Sequence, residues 1–496
     1  MSIFNDLIVF EMANNHQGDV NHGLMIIEQM AHLVKKYNLN AIVKLQYRQL
    51  DSFIHPIKRK DTSIHYIQRF LSTELKNQEL KLLVDATKKA GMKSMVTPFD
   101  EESVDILVQH NVDIIKVASC SADDWPLLEK IASAGLPVLA STGGISVNET
   151  DNLVSFFTHR TSDFGLMHCV SIYPTPNDLL HIAYIEKLIK RYPGVPIGWS
   201  GHEPPNNNLV VQLAIAKGAK MLERHVGIPT QDSKLNAYSM SPDEVDAWLS
   251  SIQEAKSILG DGSKYVTHNE KKSLLDLKRG VFVKGNIKKG QELTEANCYF
   301  AFPCEENQLT SGEFGQLRAT FKATKDYKEN EAVFESTKDD TYHVVRKIIH
   351  EAKGMLAESN VVLTPDAQIE LSHHFGLQDF RNNGCLLVSM VNREYCKKII
   401  VVFPNQSHPE QYHVKKEETF HILSGDLILV LNGIKYHLKK GDIKTLERGV
   451  RHSFTSENGC IFEEISSTHY RSDSFYLDPR IAEQDPMSRK TIIDFF

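Results

Sequence analysis

The sequence predicts an α/β chain built on a (β/α)8 barrel, continued by two smaller β-rich modules. Three observations carry that prediction. Short apolar runs alternate with amphipathic stretches over roughly the first 265 residues, and they form eight pairs. Each run is apolar at its start and polar or ionisable at its end. Beyond Arg279 the pattern turns to strand-like segments with Gly-centred turns. An open doubly wound sheet is the other home for alternating units, and the regular eightfold count disfavours it.

The runs are, in order, Ile8–Ala13, Ala41–Gln46, Lys93–Thr97, Ile114–Ser119, Pro137–Thr142, Phe164–Cys169, Pro196–Ser200 and Lys220–His225. Helical spacing fills the intervals, as in Leu24, Ile27, Ala31 and Val34. Gly91, Gly135 and Gly218 fall where helices should stop before the next strand. In a parallel barrel the C-terminal ends of all strands open on one face, so eight polar tips converge on a single pocket. These elements give a barrel over residues 1–265. After a polar helix-like stretch, Pro242–Leu259, the segments Arg279–Val283 and Asn286–Gly290 begin a small β-rich module over 275–335. A third module, 340–496, starts helix-like and becomes strand-rich, with Lys398–Phe403, Thr419–Leu423, Leu427–Leu431 and Cys460–Ile465 as separate strands.

Composition narrows the function. A formal net charge of -7 leaves no basic footprint for nucleic acid, so an anionic substrate would need locally concentrated cations. No apolar run approaches the roughly 18 residues of a membrane span, and Met1–Phe10 lacks a signal-peptide pattern. Seven cysteines without a C-x-x-C pair point to a reducing compartment. The expectation is a cytoplasmic protein with neither nucleic-acid nor membrane partners.

The tips read Glu11-x3-Asn15-His16-Gln17-Gly18-Asp19, Lys44-Leu45-Gln46, Thr97-Pro98-Phe99-Asp100 and Lys116-Val117-Ala118-Ser119. Then follow Ser141-Thr142-Gly143-Gly144, His168-Cys169-x-Ser171-x-Tyr173-Pro174-Thr175-Pro176, Ser200-Gly201-His202 and Glu223-Arg224-His225. Taken in order over all eight strands, they resemble the sialic acid synthase family. The resemblance implies a metal-dependent transferase that condenses phosphoenolpyruvate with an N-acetylmannosamine-like aldose, giving a nonulosonic acid and phosphate. The residue types suit that chemistry. Lys44 and Lys116 offer point charges to a phosphate and a carboxylate. Thr97, Ser119, Ser141 and Ser200 offer hydroxyl donors, with Ser171 of the same set also assigned to the substrate.

His202 and His225 end neighbouring strands and can share a divalent ion, Mn2+ or Mg2+ by the resemblance, while leaving positions open. A hydrogen-bonded pair of polar histidines is the alternative. The resemblance gives Glu11 an acid/base role, although a structural salt bridge to a lysine would also explain it. It assigns Gln46, Tyr173 and Asp232 to sugar hydroxyls. Glu223, counted with Glu11, Lys44 and Lys116 as catalytic, would orient a metal ligand.

The second module resembles the antifreeze-like (SAF) domain of these synthases through Asn286-Ile287-Lys288-Lys289-Gly290-x-Glu292-Leu293-Thr294. That implies a homodimer in which swapped SAF domains cap the partner's barrel, often with an Arg-Pro-Gly segment at the sugar. Here the stretch reads Phe302-Pro303-Cys304, without arginine, which puts the aldose rather than the reaction in question. The third module resembles a cupin, through Gln411-x-His413-x4-Glu418-x6-Gly425 and Gly441-x5-Glu447-x-Gly449-x2-His452. His413, Glu418 and His452, with Gln411 as a fourth ligand, would hold a second divalent metal. The fragment Pro409–His413 is most similar to lyxose-isomerase-type cupins. Two other readings therefore stand beside the synthase. One is a cupin-centred sugar isomerase or epimerase with the barrel as scaffold; the other is a non-catalytic sugar-binding protein of polysaccharide biosynthesis.

Overall fold

A computed structural model describes residues 2–61, 63–161, 163–230, 234–315, 318–364, 367–470 and 472–493. The chain divides into two compact units, Met1–Lys264 and Tyr265–Phe496. No helix among the described residues is long and apolar enough to cross a membrane.

The first unit is a closed barrel of eight parallel strands in sequence order. They are β1 (Leu7–Glu11), β2 (Asn40–Tyr47), β3 (Lys93–Pro98), β4 (Ile114–Val117), β5 (Val138–Ser141), β6 (Phe164–Cys169), β7 (Ile197–Gly201) and β8 (Met221–His225). Closure comes from β1 pairing with both β2 and β8, which sets Glu11 beside Lys44 on one side and His225 on the other. The two-residue period of a strand explains which side chains meet. Leu7, Val9, Ile42, Met95, Ile114, Leu139, Met167 and Met221 form an apolar plug inside the barrel. Their neighbours Ile8, Phe10, Val43, Val96, Ile115, Ala140, Leu166 and Leu222 face the surrounding helices. Continuing the inward parity toward the strand ends gives Glu11, Lys44, Gln46, Thr97, Lys116, Ser141, Ser200 and Glu223. The barrel is thus plugged with hydrocarbon below and lined with polar groups above.

Local signals set the helices. Ser146 and Glu149 satisfy each other's backbone N–H groups at the start of Val147–Thr158, as Ser-x-x-Glu spacing dictates. Two short helices, Leu50–Phe53 and His65–Ser72, are inserted after β2 and are not announced by the run pattern.

The second unit opens with short strands, Gly280–Val283, Glu292–Leu293, Cys298–Ala301, Thr320–Ala323 and Ser336–Asp339, around a core that includes Val281, Leu293, Phe321 and Val333. Helix Thr341–Glu358 then packs Ile348, Ala352 and Leu356 on one face of an eleven-stranded sheet. Its named pairings from Gln368 onward are antiparallel. The sequence suggests two strands, Thr419–Leu423 and Leu427–Leu431, but the protein has one continuous strand, Glu418–Leu431. A register shift between Ile422 and Ser424 supplies the bend that a turn was expected to make. This strand pairs with Cys460–Ser467 along its first part and with His452–Ser456 along its last, linking both halves of the sheet.

Candidate active site

Burying two lysines inside a barrel is costly unless each finds a counter-charge. Here Lys44 Nζ lies 2.5 Å from Glu11 Oε2 and 2.7 Å from Glu223 Oε1. Lys116 Nζ lies 3.2 Å from Glu223 Oε2 and donates to Ser141 Oγ at 2.7 Å. Ser200 Oγ donates to Glu223 Oε1 at 2.9 Å. The strand tips thus hold two ammonium groups and two carboxylates with almost no solvent contact. Burial draws the Lys44 ammonium down to about 7, with Lys116 adding to the fall and Glu223 opposing it. Burial alone would raise the Glu223 carboxyl, yet Lys116 and Lys44 hold it well below the usual range. The Glu223 oxygens accept from the two lysines and Ser200. Inward parity directs it into the cation layer, and Arg224, facing outward, is buried against Glu203 at 2.5 Å.

Beside this layer is a cradle of small donors. Gly143 N donates to Ser119 Oγ at 2.9 Å. A Cβ on Gly143 would sit 2.4 Å from Ser171 Oγ and 2.9 Å from Ser119 Oγ, so only glycine lets the two hydroxyls approach this backbone. Thr97 Oγ1 is buried without a hydrogen-bond partner among the described residues. Hydroxyls next to fixed ammonium groups form a site suited to phosphate and carboxylate oxygens.

On the β7–β8 side the His202 and His225 rings lie 5.3 Å apart, walled by Tyr173, 4.3 Å from His202, and Tyr238, 5.0 Å from His225. Burial lowers His202 to about 4 and draws His225 well below the ordinary imidazole value, so both are neutral. His202 Nδ1 lies 3.1 Å from the Val170 carbonyl, which fixes that nitrogen as donor and leaves Nε2 with a lone pair. His225 Nδ1 is buried with no partner among the described residues. Two neutral imidazoles, one with an orphaned nitrogen, fit a divalent cation that takes its other ligands from elsewhere.

Gln46 Nε2 donates to Glu11 Oε1 at 3.2 Å, and Arg48 Nη1 donates to Gln46 Oε1 at 3.0 Å. The Arg48 guanidinium lies over the rings of Phe70 and Phe99, 4.3 and 3.6 Å from their centroids. It lines a small cleft with Asn14, His16, Gln46, Phe70 and Thr73. Sequence reasoning missed Arg48 and Tyr238, because a guanidinium held by distant aromatic rings leaves no mark in local spacing. Asp232 lies outside the described residues.

His16 gives a stability prediction. Burial, then His22, lowers it to about 4, while an unfolded chain titrates near 6.5. Between those values the unfolded state holds the extra proton. Stability is therefore full above about pH 6.5 and lost as pH falls toward 4, by on the order of 3 kcal/mol. The protein's 3 tryptophans, Trp125, Trp199 and Trp248, all report on this unit. Their fluorescence should show the urea midpoint falling over that window, with a shallower fall in His16→Asn.

The second unit gathers a different cluster. Ligand atoms of His413, Glu418 and His452 lie within 4.8 Å of one another. Glu418 Oε1 is 3.4 Å from His413 Nε2, and Glu418 Oε2 is 3.5 Å from His452 Nε2. Gln411 pairs in register with His452, placing its Nε2 3.3 Å from His452 Nε2. A small chamber opens beside them, lined also by Lys398, Lys416, His408, Glu464 and Tyr476.

Residues 34–264 match the NeuB family, and residues 398–461 match a family described as cupin domain. A crystal structure described as spore coat polysaccharide biosynthesis protein E of Chromobacterium violaceum is 43% identical. Its TM-score is 0.63, and the match covers 66% of this chain and 98% of that one. N-acetylneuraminate-9-phosphate synthase of Drosophila melanogaster is 30% identical over 262 residues, 50% of this chain and 68% of that protein. N,N'-diacetyllegionaminic acid synthase of Legionella pneumophila is 27% identical over 314 residues, 60% of this chain and 85% of that protein.

Proposed function

The chain belongs to the NeuB family, and from that premise we propose that its barrel condenses phosphoenolpyruvate with an amino-sugar aldose to give a 3-deoxy-2-keto sugar acid and phosphate. One observation carries the reading. Two buried ammonium groups and a hydroxyl cradle share the barrel's polar layer with a pair of neutral imidazoles.

Phosphoenolpyruvate brings a phosphate and a carboxylate. Both compete with Glu223 and Glu11 for Lys44 and Lys116, while Ser119, Ser141, Ser171, Ser200 and Thr97 orient the oxygens. The aldose lies on the Gln46 and Tyr173 side with its aldehyde toward His202 and His225. These imidazoles would hold Mn2+ or Mg2+, whose positive charge polarises a carbonyl oxygen and steadies the developing alkoxide. C3 of phosphoenolpyruvate attacks the aldehyde carbon, leaving a cationic C2 and an alkoxide. Water adds to C2, and its proton reaches the alkoxide through Glu11, which stands between Lys44 and Gln46. The resulting hemiketal phosphate breaks the bond between C2 and the phosphate oxygen; the C2 hydroxyl gives its proton to the departing phosphate and becomes the ketone.

Phosphate release should need both reactants. Assays across hexosamines and their diamino-dideoxy relatives should single out one aldose; release with phosphoenolpyruvate alone, or with none of the panel, would count against the reading. Arg48 is assigned to reading that sugar, replacing the arginine absent at Phe302–Cys304. Arg48→Ala should raise KM for the aldose about 10- to 100-fold, losing roughly 1.4 to 3 kcal/mol, with KM for phosphoenolpyruvate nearly unchanged. We further assign the module at 275–335 to the SAF class in a swapped homodimer and place the enzyme in the cytoplasm. All seven cysteines are free thiols, which supports that location.

A further inference from the structure

The backbone holds His202 and His225 from opposite flanks. β7 and β8 pair in register from Gly198 and Met221 to Gly201 and Arg224, and the ladder stops there, one residue short of both histidines. His202 is tied to the segment that follows β6. Its carbonyl accepts from Thr175 N at 2.9 Å, and its Nδ1 lies against the Val170 carbonyl. His225 is tied to the β1 side, in register with Glu11, and its carbonyl accepts from Met240 N at 2.8 Å. The ring separation therefore depends on whatever joins the two strand ends beyond the ladder.

A buried ion pair crosses that gap from behind. Glu203 follows His202, and Arg224 precedes His225 with its side chain turned out of the barrel. Arg224 Nη1 donates to Glu203 Oε1 at 2.5 Å, and Arg224 Nη2 donates to the Glu203 carbonyl at 2.7 Å. One guanidinium thus grips both the side chain and the main chain of the residue after His202. Both side chains are 0% exposed. Gly201 makes room for the arrangement. A Cβ there would sit 2.4 Å from Glu203 Oε2 and 2.7 Å from Trp199 Nε1, so a side chain at this position would push the carboxylate aside. Stability gives little reason for the pair. Desolvating two charges costs about what their attraction returns, and well-packed hydrocarbon serves a core equally well. Hydrocarbon does not fix a register, whereas a planar fork with two directed donors admits one placement of the chains it joins.

We infer that Glu203 and Arg224 are positioning residues, whose pair takes over from the backbone ladder between β7 and β8 and sets the separation of the His202 and His225 rings. That those rings hold a divalent cation rests on the function proposed above. The clamp on their spacing does not.

The test removes the charges and keeps the packing. The full chain carrying Glu203→Leu together with Arg224→Met should fold, with a circular dichroism melting curve close to that of wild type. The ion to follow is the Mn2+ that wild type holds and His225→Ala loses, counted by equilibrium dialysis. The double variant should bind it about 10- to 100-fold more weakly, and kcat for phosphate release should fall by a similar factor and recover as Mn2+ is raised. Calorimetric titration should show phosphoenolpyruvate affinity nearly unchanged, because Lys44 and Lys116 stand on β2 and β4. If the double variant fails to fold, Arg224→Lys takes its place, since one ammonium keeps the charge but cannot reproduce the fork. A metal-free readout stands beside these. In protein isotopically labelled at histidine, the ring signals of His202 and His225, identified by their loss in His202→Asn and His225→Asn, should shift or split in the variant. A folded variant with wild-type Mn2+ affinity, or with both ring signals unmoved, would overturn the clamp. So would phosphoenolpyruvate affinity lost in step with Mn2+, which marks damage to the whole pocket. A wild type that holds no Mn2+ through His225 loses the metal side of the proposed function, and the ring signals then decide the clamp by themselves.

Discussion

Lys116→Met should lower kcat/KM for phosphate release by about 10³-fold or more, a loss of roughly 4 kcal/mol. Methionine nearly matches lysine in length and removes only the charge and its donors, so the barrel keeps its packing. What disappears is the contact to Ser141 and half the field that faces an incoming oxyanion. Lys116→Arg should recover little, because Lys116 is almost wholly buried and a planar fork does not fit the space of a compact ammonium. A second readout separates this from damage to the fold. Lys44 is held near 7 partly by its like-charged neighbour Lys116. In wild type, kcat/KM should therefore fall as pH rises through about 7 and Lys44 loses its proton. In Lys116→Met the repulsion is gone, Lys44 holds its proton longer, and that limb should move to higher pH. A variant with unchanged tryptophan fluorescence and an unmoved limb would mean that the lysines do not share one field.

Parity explains how much of this arrangement was legible. Eight runs with polar ends predict a barrel, and the alternation in Leu7-Ile8-Val9-Phe10-Glu11 shows which residues line it. Applied to Glu223-Arg224-His225, the same alternation sends Glu223 and His225 inward and Arg224 outward, a distinction that motif reading alone passes over. The insertion after β2 was opaque. Phe70 and Phe99 come to Arg48 from separate elements, and nothing in 48–50 announces them. The C-terminal sheet hides its logic similarly. Lys416 reaches Glu464 because Glu418–Leu431 pairs with Cys460–Ser467, a register set by burial of Phe420, Ile422 and Phe462 rather than by spacing. The cupin motifs mark the cluster's ligands, but the ion pairs that line the chamber depend on strands nearly fifty residues apart.

His225→Ala, or removal of divalent ions with EDTA, should cut phosphate release by about 10²- to 10³-fold while leaving phosphoenolpyruvate affinity within roughly threefold. The separation follows from the two sides of the site. In the proposed complex the phosphate and carboxylate would meet Lys44, Lys116 and the Ser119–Ser171 cradle, none of which needs an imidazole. In the same proposal the aldehyde would meet His202 and His225, kept neutral by burial and so available as ligands from about pH 5 upward. Without a cation, enol attack must generate an alkoxide beside two uncharged rings, which is where the lost 3 to 4 kcal/mol would fall. His225→Gln keeps a donor of similar reach and should regain part of the rate when Mn2+ is raised, whereas His225→Ala should not. Calorimetric titration of phosphoenolpyruvate into EDTA-treated protein measures the anion side alone. If that binding collapses with the rate, the imidazoles serve the whole pocket's structure; if the rate survives chelation, a carbonyl polarised by metal has no part in the chemistry.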